Sequence, residues 1–343
     1  MKILTALVWA LVGLLLCAVA VWSLLAITYA GPHNDMLRQA LSALPVLATL
    51  PVLVALGFRR WRWRALTLWL FLFAGELWWL SSLTPSNDRA WQTDVAVLPH
   101  ATIDGDLVTL HSIRNFDYRS EFDYTPAYYD KTFNIRELTG VDVVAVYWMG
   151  PAIAHVFLSF EFGAGNHLAI SIETRKEKDE EYSTLKGFFR QYELYYVVAD
   201  ERDVIRLRTH YRNNPVEDVY VYRAAGDLDN GRRLFLEYIR RINQLRSEPE
   251  FYNTLTTNCT TSIWLNTLVN QQHLPLDWKI LVSGYLPELL FEHGRLQGDG
   301  LTFAEVQRRA HVNARALAAD RATGGAANFS LRIRQNVESL PAE

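Results

Sequence analysis

Cys259 is the residue of this 343-residue chain whose type and setting most invite chemistry. It closes the polar stretch Tyr252-Asn253-Thr254-Leu255-Thr256-Thr257-Asn258 and precedes Thr260-Thr261 and the apolar residues Ile263, Leu265, Leu268 and Val269, which recur at helical spacing. A helix over residues 260–270 is therefore expected, with Cys259 at its start. There the macrodipole and free backbone N–H groups favour a thiolate and can donate to a developing oxyanion, which makes Asn258 and Thr260 candidate substrate or oxyanion contacts. The chain holds one other cysteine, Cys17, inside a long apolar stretch, so no internal disulfide is expected. Three readings of Cys259 stand open: an inert buried thiol, an intermolecular disulfide, or a nucleophile.

A nucleophilic thiol needs a base, and His155 is the candidate among nine histidines because it opens the β-rich run His155-Val156-Phe157-Leu158-Ser159-Phe160. A structural histidine is the alternative reading. The run continues through Gly163-Ala164-Gly165-Asn166 into His167–Ile172, the pattern of a hairpin. If the loop spans positions 163–165, Glu173 falls opposite His155 on the same face and can orient it. His167 is the alternative orienting residue. Arg175 is a candidate charge partner for Glu173 or a phosphate contact, although Lys176-Glu177-Lys178-Asp179-Glu180-Glu181 continues as the charge run of a solvated strand. Asp200-Glu201-Arg202-Asp203 reads either as a divalent-cation site or, better, as a charged turn or helix start. GxSxG, Walker A, GxGxxG, HExxH and CxxC are all absent, so no metal or cofactor is expected.

The elements that must hold these residues read as an α+β domain over residues 84–299. Strands are expected at 95–103 and 107–113, joined at Asp104-Gly105-Asp106, and again at 141–148, 155–162, 167–172, 194–198 and 219–222. Helical periodicity over 227–246 and 260–270 puts the helices late in the chain, against a mainly antiparallel sheet. Residues 300–343 read as a tail that includes the flexible stretch Thr323-Gly324-Gly325-Ala326-Ala327, and Thr84–Asp88 reads as a short linker that keeps the domain near the membrane.

Residues 1–83 differ in kind. They carry six basic and two acidic residues, against 28 and 35 in the rest, and seven of the eleven tryptophans. Ile3–Ala30 has no charged residue, Ala40–Phe58 has none but contains Pro45 and Pro51, and Ala65–Leu83 has only Glu76. At 1.5 Å per residue each stretch can cross a hydrocarbon core of about 30 Å, so residues 3–30, 40–58 and 65–83 are expected to form a three-helix anchor. The first is too long for the apolar core of a cleaved signal peptide, and Glu76, near the end of the third, is expected to snorkel. Arg59-Arg60-Trp61-Arg62-Trp63-Arg64 would stay cytoplasmic, which places everything after Leu83 on the far side of the membrane, the periplasm of a bacterium. The acidic balance of that part argues against nucleic acid as a partner.

The segment from His155 through Ser171-Ile172-Glu173-Thr174-Arg175 and Ala199-Asp200-Glu201-Arg202-Asp203 to Asn258-Cys259-Thr260-Thr261 resembles the Lnb N-terminal periplasmic domain family, over roughly residues 85–295. The order His first and Cys last is similar to the circularly permuted papain-like fold of lecithin retinol acyltransferase and NlpC-type enzymes, in which a hairpin histidine serves the cysteine. The spacing from His155 to His167 resembles the paired histidines of the permuted acyltransferases. The resemblance implies acyl transfer through a Cys259 thioester, with membrane phospholipid as a partner and a lipoprotein N-terminus as acceptor. A peptidase or amidase acting on cell-wall peptides, or a non-catalytic envelope binding module, are the alternatives. The better-studied Lnb proteins place their spans after the catalytic domain, whereas here the spans come first.

Overall fold

The computed structural model describes residues 2–322 and 328–335 except 33, 164 and 299. The chain divides into two compact units, residues 1–86 with 182–192, and residues 87–181 with 193–343.

The first unit is built on α1 (Lys2–Ala30), α2 (Asp35–Leu56) and α3 (Arg62–Ser82), each long and apolar enough to cross a membrane. Asn34 accepts the Leu37 N–H and starts α2 five residues earlier than its apolar run. Leu16, Val52, Leu56 and Trp69 pack together, and the Trp69 indole donates to Thr49 Oγ1 at 2.9 Å. Most other apolar side chains of the three helices face outward, as lipid-facing surfaces do. The 182–192 excursion belongs to this unit: Phe189 lies against Trp22 and Tyr29, and Arg190 donates to the Leu83 carbonyl at 3.1 Å.

The second unit is a mixed sheet covered by helices on both faces. Its strands are β1 (His100–Asp104), β2 (Leu107–Arg114), the short pair β3 (Asp117–Tyr118) and β4 (Tyr124–Thr125), then β5 (Tyr128–Asn134), β6 (Leu138–Tyr147), β7 (Ala154–Phe162), β8 (Asn166–Arg175), β9 (Glu193–Asp200) and β10 (Asp218–Arg223). The order in the large sheet is β1-β2-β9-β8-β7-β6-β10, with β5 also on β2; neighbours are antiparallel except β2 and β9. Helix α4 (Glu201–Arg206) runs into a π-helical turn, Leu207–Tyr211. The remaining helices are α5 (Leu228–Ser247), α6 (Cys259–Thr267), α7 (Trp278–Leu281), α8 (Leu286–Glu292), α9 (Phe303–Ala310), α10 (Asn313–Arg321) and α11 (Phe329–Arg332).

Central strands β7 and β8 are buried along almost their whole length, so they read as apolar runs rather than as clean alternations. On one face Phe157, Ala169, Val197 and Ala199 join Val204 and Ile205 of α4 and Ala316, Ala319 and Phe329 of α10 and α11. On the other, Phe160 meets Phe235 and Tyr238 of α5, and Asn266 of α6 donates to the Tyr196 hydroxyl at 3.2 Å.

Two expectations change. The segment expected as a tail from residue 300 is part of this core, and Arg334 seals it by donating to Asp142 at 2.6 Å and to Glu201 at 2.6 Å and 2.8 Å. The small residues of α10, Ala316 and Ala319, allow that close packing, and small residues carry little apolar signal in a sequence. The Thr323–Ala327 stretch lies outside the described residues. The charge run after Arg175 is also tied down, since the Gln92 N–H donates to the Lys176 carbonyl and Arg89 pairs with Glu177 at 2.9 Å.

Candidate active site

The β7–β8 turn sets the register of the site. Gly163 and Gly165 both adopt positive φ, and the ladder pairs Phe162 with Asn166 and Leu158 with Ile170. The same register carried onward puts Glu173 opposite His155, as the expected loop of positions 163–165 requires. Their side chains meet: His155 Nε2 lies 3.5 Å from Glu173 Oε1. Ser171, two residues before Glu173 on the same face, stands between them. Its Oγ is 2.7 Å from His155 Nε2 and donates to Glu173 Oε1 at 2.8 Å.

This chain of bonds assigns the imidazole tautomer. Ser171 spends its one proton on Glu173, so Nε2 must carry the proton that His155 gives to Ser171. The ring nitrogen left for a base is Nδ1, and His155 is also hydrogen-bonded to the Cys259 thiol. Cys259 is a free, buried cysteine.

Cys259 opens α6, one residue earlier than the expected helix start. Asn258 is the N-cap, accepting the Thr261 N–H at 2.8 Å while its own N–H donates to Thr261 Oγ1 at 3.0 Å. The Asn258 amide also donates to the Thr254 carbonyl at 2.7 Å, and Thr260 Oγ1 donates to the Ile280 carbonyl at 2.6 Å. Both side chains are therefore committed to shaping the helix start, and the groups they leave for a substrate are backbone ones. The N–H groups of Thr260 and Val156 reach the Cys259 sulfur.

The electrostatics shift both groups toward the charged pair. Burial works against a Cys259 thiolate, but the His155 imidazole and the two N–H groups outweigh it and lower the thiol below its ordinary value. Burial and the Arg208 charge oppose a His155 imidazolium, yet bonds to Cys259 and Glu173 raise it above the usual imidazole value. Glu173 is held well below the carboxylate range: burial opposes ionisation, and His155, Arg208 and Arg114 more than reverse it.

Arg208 is the residue that sequence reasoning missed. Its Nη2 donates to Glu173 Oε1 at 3.2 Å and its Nη1 to Glu217 at 3.4 Å, from the π-helical turn after α4. Nothing in Leu207-Arg208-Thr209-His210-Tyr211 singles it out, because the pairing crosses 35 positions. Arg175, the expected partner, is spent elsewhere: it donates to the carbonyls of Val95 and Ala96 and to Asn87, and stacks on Trp91. It contacts neither Glu173 nor an open surface, being 2% exposed.

His167 is not the orienting residue. It sits opposite Glu161 near the turn, six positions from the His155 level, which is roughly 20 Å along a strand. The acidic run 200–203 is a helix start, as the better of its two readings had it. Asp200 caps α4 by accepting the Arg202 N–H, Glu201 pairs with Arg334, and Asp203 takes a bidentate contact from Arg114. Arginines thus occupy the carboxylates that a cation would need. Among the described residues, no group of three or more His, Cys, Asp or Glu side chains is arranged to hold a metal ion.

His155, Ser171, Glu173, Arg208 and Cys259 all lie in one stretch of the chain. Residues 124–284 match the Lnb N-terminal periplasmic domain family. No curated protein and no solved structure matches the chain. The Lnb-type segment runs from β4 to the turn after α7, so it holds every residue of the site but neither the three apolar helices nor α8 to α11. With those helices at its N-terminus, the chain is a membrane-anchored protein with a periplasmic domain.

Proposed function

We propose that the chain is a thiol-dependent acyltransferase of the bacterial inner membrane, anchored by three crossings, with a circularly permuted papain-like domain working at the periplasmic face. The observation that carries this reading is the continuous chain Cys259–His155–Ser171–Glu173–Arg208, a nucleophile, a base and its orienting groups in hydrogen-bond contact. A non-catalytic binding module has no need of such a chain.

In the proposed cycle, the Cys259 sulfur attacks the carbonyl carbon of a phospholipid ester and its proton passes to His155 Nδ1. The oxyanion is held by backbone N–H groups at the start of α6. Collapse breaks the ester C–O bond, His155 returns the proton to the leaving alkoxide, and a lysophospholipid departs. An acceptor amine then attacks the thioester and gives its proton to His155. Collapse expels the thiolate and releases the amide. By the family resemblance the acceptor is the N-terminal diacylglyceryl cysteine of a lipoprotein. Three apolar helices suit two substrates that are both lodged in lipid.

Mass spectrometry of the purified protein incubated with acyl-labelled phospholipid tests the proposal. A hydroxylamine-sensitive acyl adduct on Cys259 is expected, lost in Cys259→Ala and not passed on in His155→Ala. An unmodified Cys259 together with cleavage of a muropeptide would replace it with the peptidase reading.

A further inference from the structure

A cavity of about 560 Å³ lies beside the nucleophile helix, inside the second unit. Its walls start next to the chemistry. Thr260 is one residue along α6 from Cys259, and Leu158 is two residues along β7 from Val156, whose N–H reaches the sulfur. Along their own elements these two wall residues are about 1.5 Å from Cys259 and about 7 Å from Val156. From there the cavity follows α6 through Ile263 and Trp264 to Thr267 and is also lined by Leu234 of α5 and Leu290 of α8.

Several of the polar groups around it are already used. Arg223 pairs with Glu161 at 2.7 Å and with Asp142 at 2.8 Å. Asp227 caps α5, the Trp264 indole donates to the Leu274 carbonyl, and Arg295 donates to the Gln272 carbonyl. With Val141, Val143, Leu158, Leu286 and Leu289 among its other walls, most of what it offers is hydrocarbon, in a volume ordinary for a ligand site.

We infer that this cavity is the acyl-chain site, which seats one fatty chain of a glycerolipid along α6 so that its ester carbonyl reaches Cys259. The inference rests on the acyl-transfer reading for its second half, and binding of the chain is measurable without turnover. The full-length Cys259→Ala protein in nanodiscs holding phosphatidylcholine with a diazirine-bearing palmitoyl chain is irradiated, and the labelled peptides are mapped. Labels are expected on the peptides containing Leu234, Ile263 and Leu290. Adding Leu234→Trp, or Leu290→Trp from the opposite wall, fills the space and lowers that labelling about tenfold. Each substitution is also made with Cys259 intact, where unchanged iodoacetamide labelling of the thiol shows that the site is still folded. Labels confined to α1–α3, or unaffected by both tryptophans, overturn the inference. Cavity labelling with no acyl adduct on wild-type Cys259 would leave the binding site standing and remove acyl transfer. An adduct with labels elsewhere would do the reverse.

Discussion

The two ends of the β7–β8 hairpin are built from the same parts and do different things. At one end His155 faces Glu173, with Arg208 behind; at the other His167 faces Glu161 at 4.0 Å, with Arg223 behind. At the first end the imidazole is bonded to both Ser171 and Cys259. At the second the His167 side chain is 0% exposed, its Nδ1 holds the Gly165 carbonyl, and Nε2 is buried without a hydrogen-bond partner. A histidine beside a carboxylate is therefore not enough to make a base. The difference lies in what a third element brings, and only the first end receives the start of a helix with a thiol on it.

Four experiments can break or sharpen that contrast. The largest effect is expected from His155→Ala, which should slow acylation or alkylation of Cys259 by about 10²–10⁴-fold; a rate equal to that of wild type would end the claim that the two ends differ chemically. Next is Glu173→Gln, which should cost about 10²-fold by loosening control of the His155 tautomer. It should also change the pH profile. The reactive ion pair exists above the lowered Cys259 value and below the raised His155 value, so reactivity falls at both extremes. Removing the Glu173 charge lowers the His155 value, so the alkaline limb moves inward. Iodoacetamide kinetics across pH should show this narrowing for Glu173→Gln and none for Glu161→Gln.

Arg208→Met is expected to act on stability as well as on chemistry. It removes the partner of two carboxylates, and because Glu173 is about a quarter exposed the loss should be about 2–3 kcal/mol rather than the full penalty of a buried pair, read by urea denaturation. An unchanged midpoint would mean that Glu173 relaxes to solvent. The smallest effect is expected from His167→Phe. Only the Nδ1 bond to the Gly165 carbonyl is lost, so stability should fall by about 1 kcal/mol and the Cys259 rate should not move. A large drop in rate there would restore His167 as a member of the site.

Much of the candidate site could be read from the sequence. The two apolar runs of β7 and β8 and the glycines between them place Glu173 across from His155, since a tight turn fixes the count and the period of two fixes the face. The polar-to-apolar switch around Asn258-Cys259 marks a helix start because capping depends on residues three apart. Arg175 was misleading for the same local reason: it follows Glu173 on the same face, but Val95, Ala96 and Trp91 from a distant loop claim it. The C-terminal helices were hidden because alanines pack well while contributing little hydrophobic signal.

The sequence by itself determined the anchor, the hairpin, the helix that begins at a cysteine and the match of residues 124–284 to a periplasmic domain family, since each depends on residues near one another or on a pattern carried along the chain. Only the tertiary structure decided which histidine meets the thiol, that Ser171 and Arg208 complete the chain of bonds, and that a hydrocarbon-walled cavity starts one residue from Cys259. Those are pairings across tens of positions, set by how helices cover a sheet, and a linear pattern has no means of recording them.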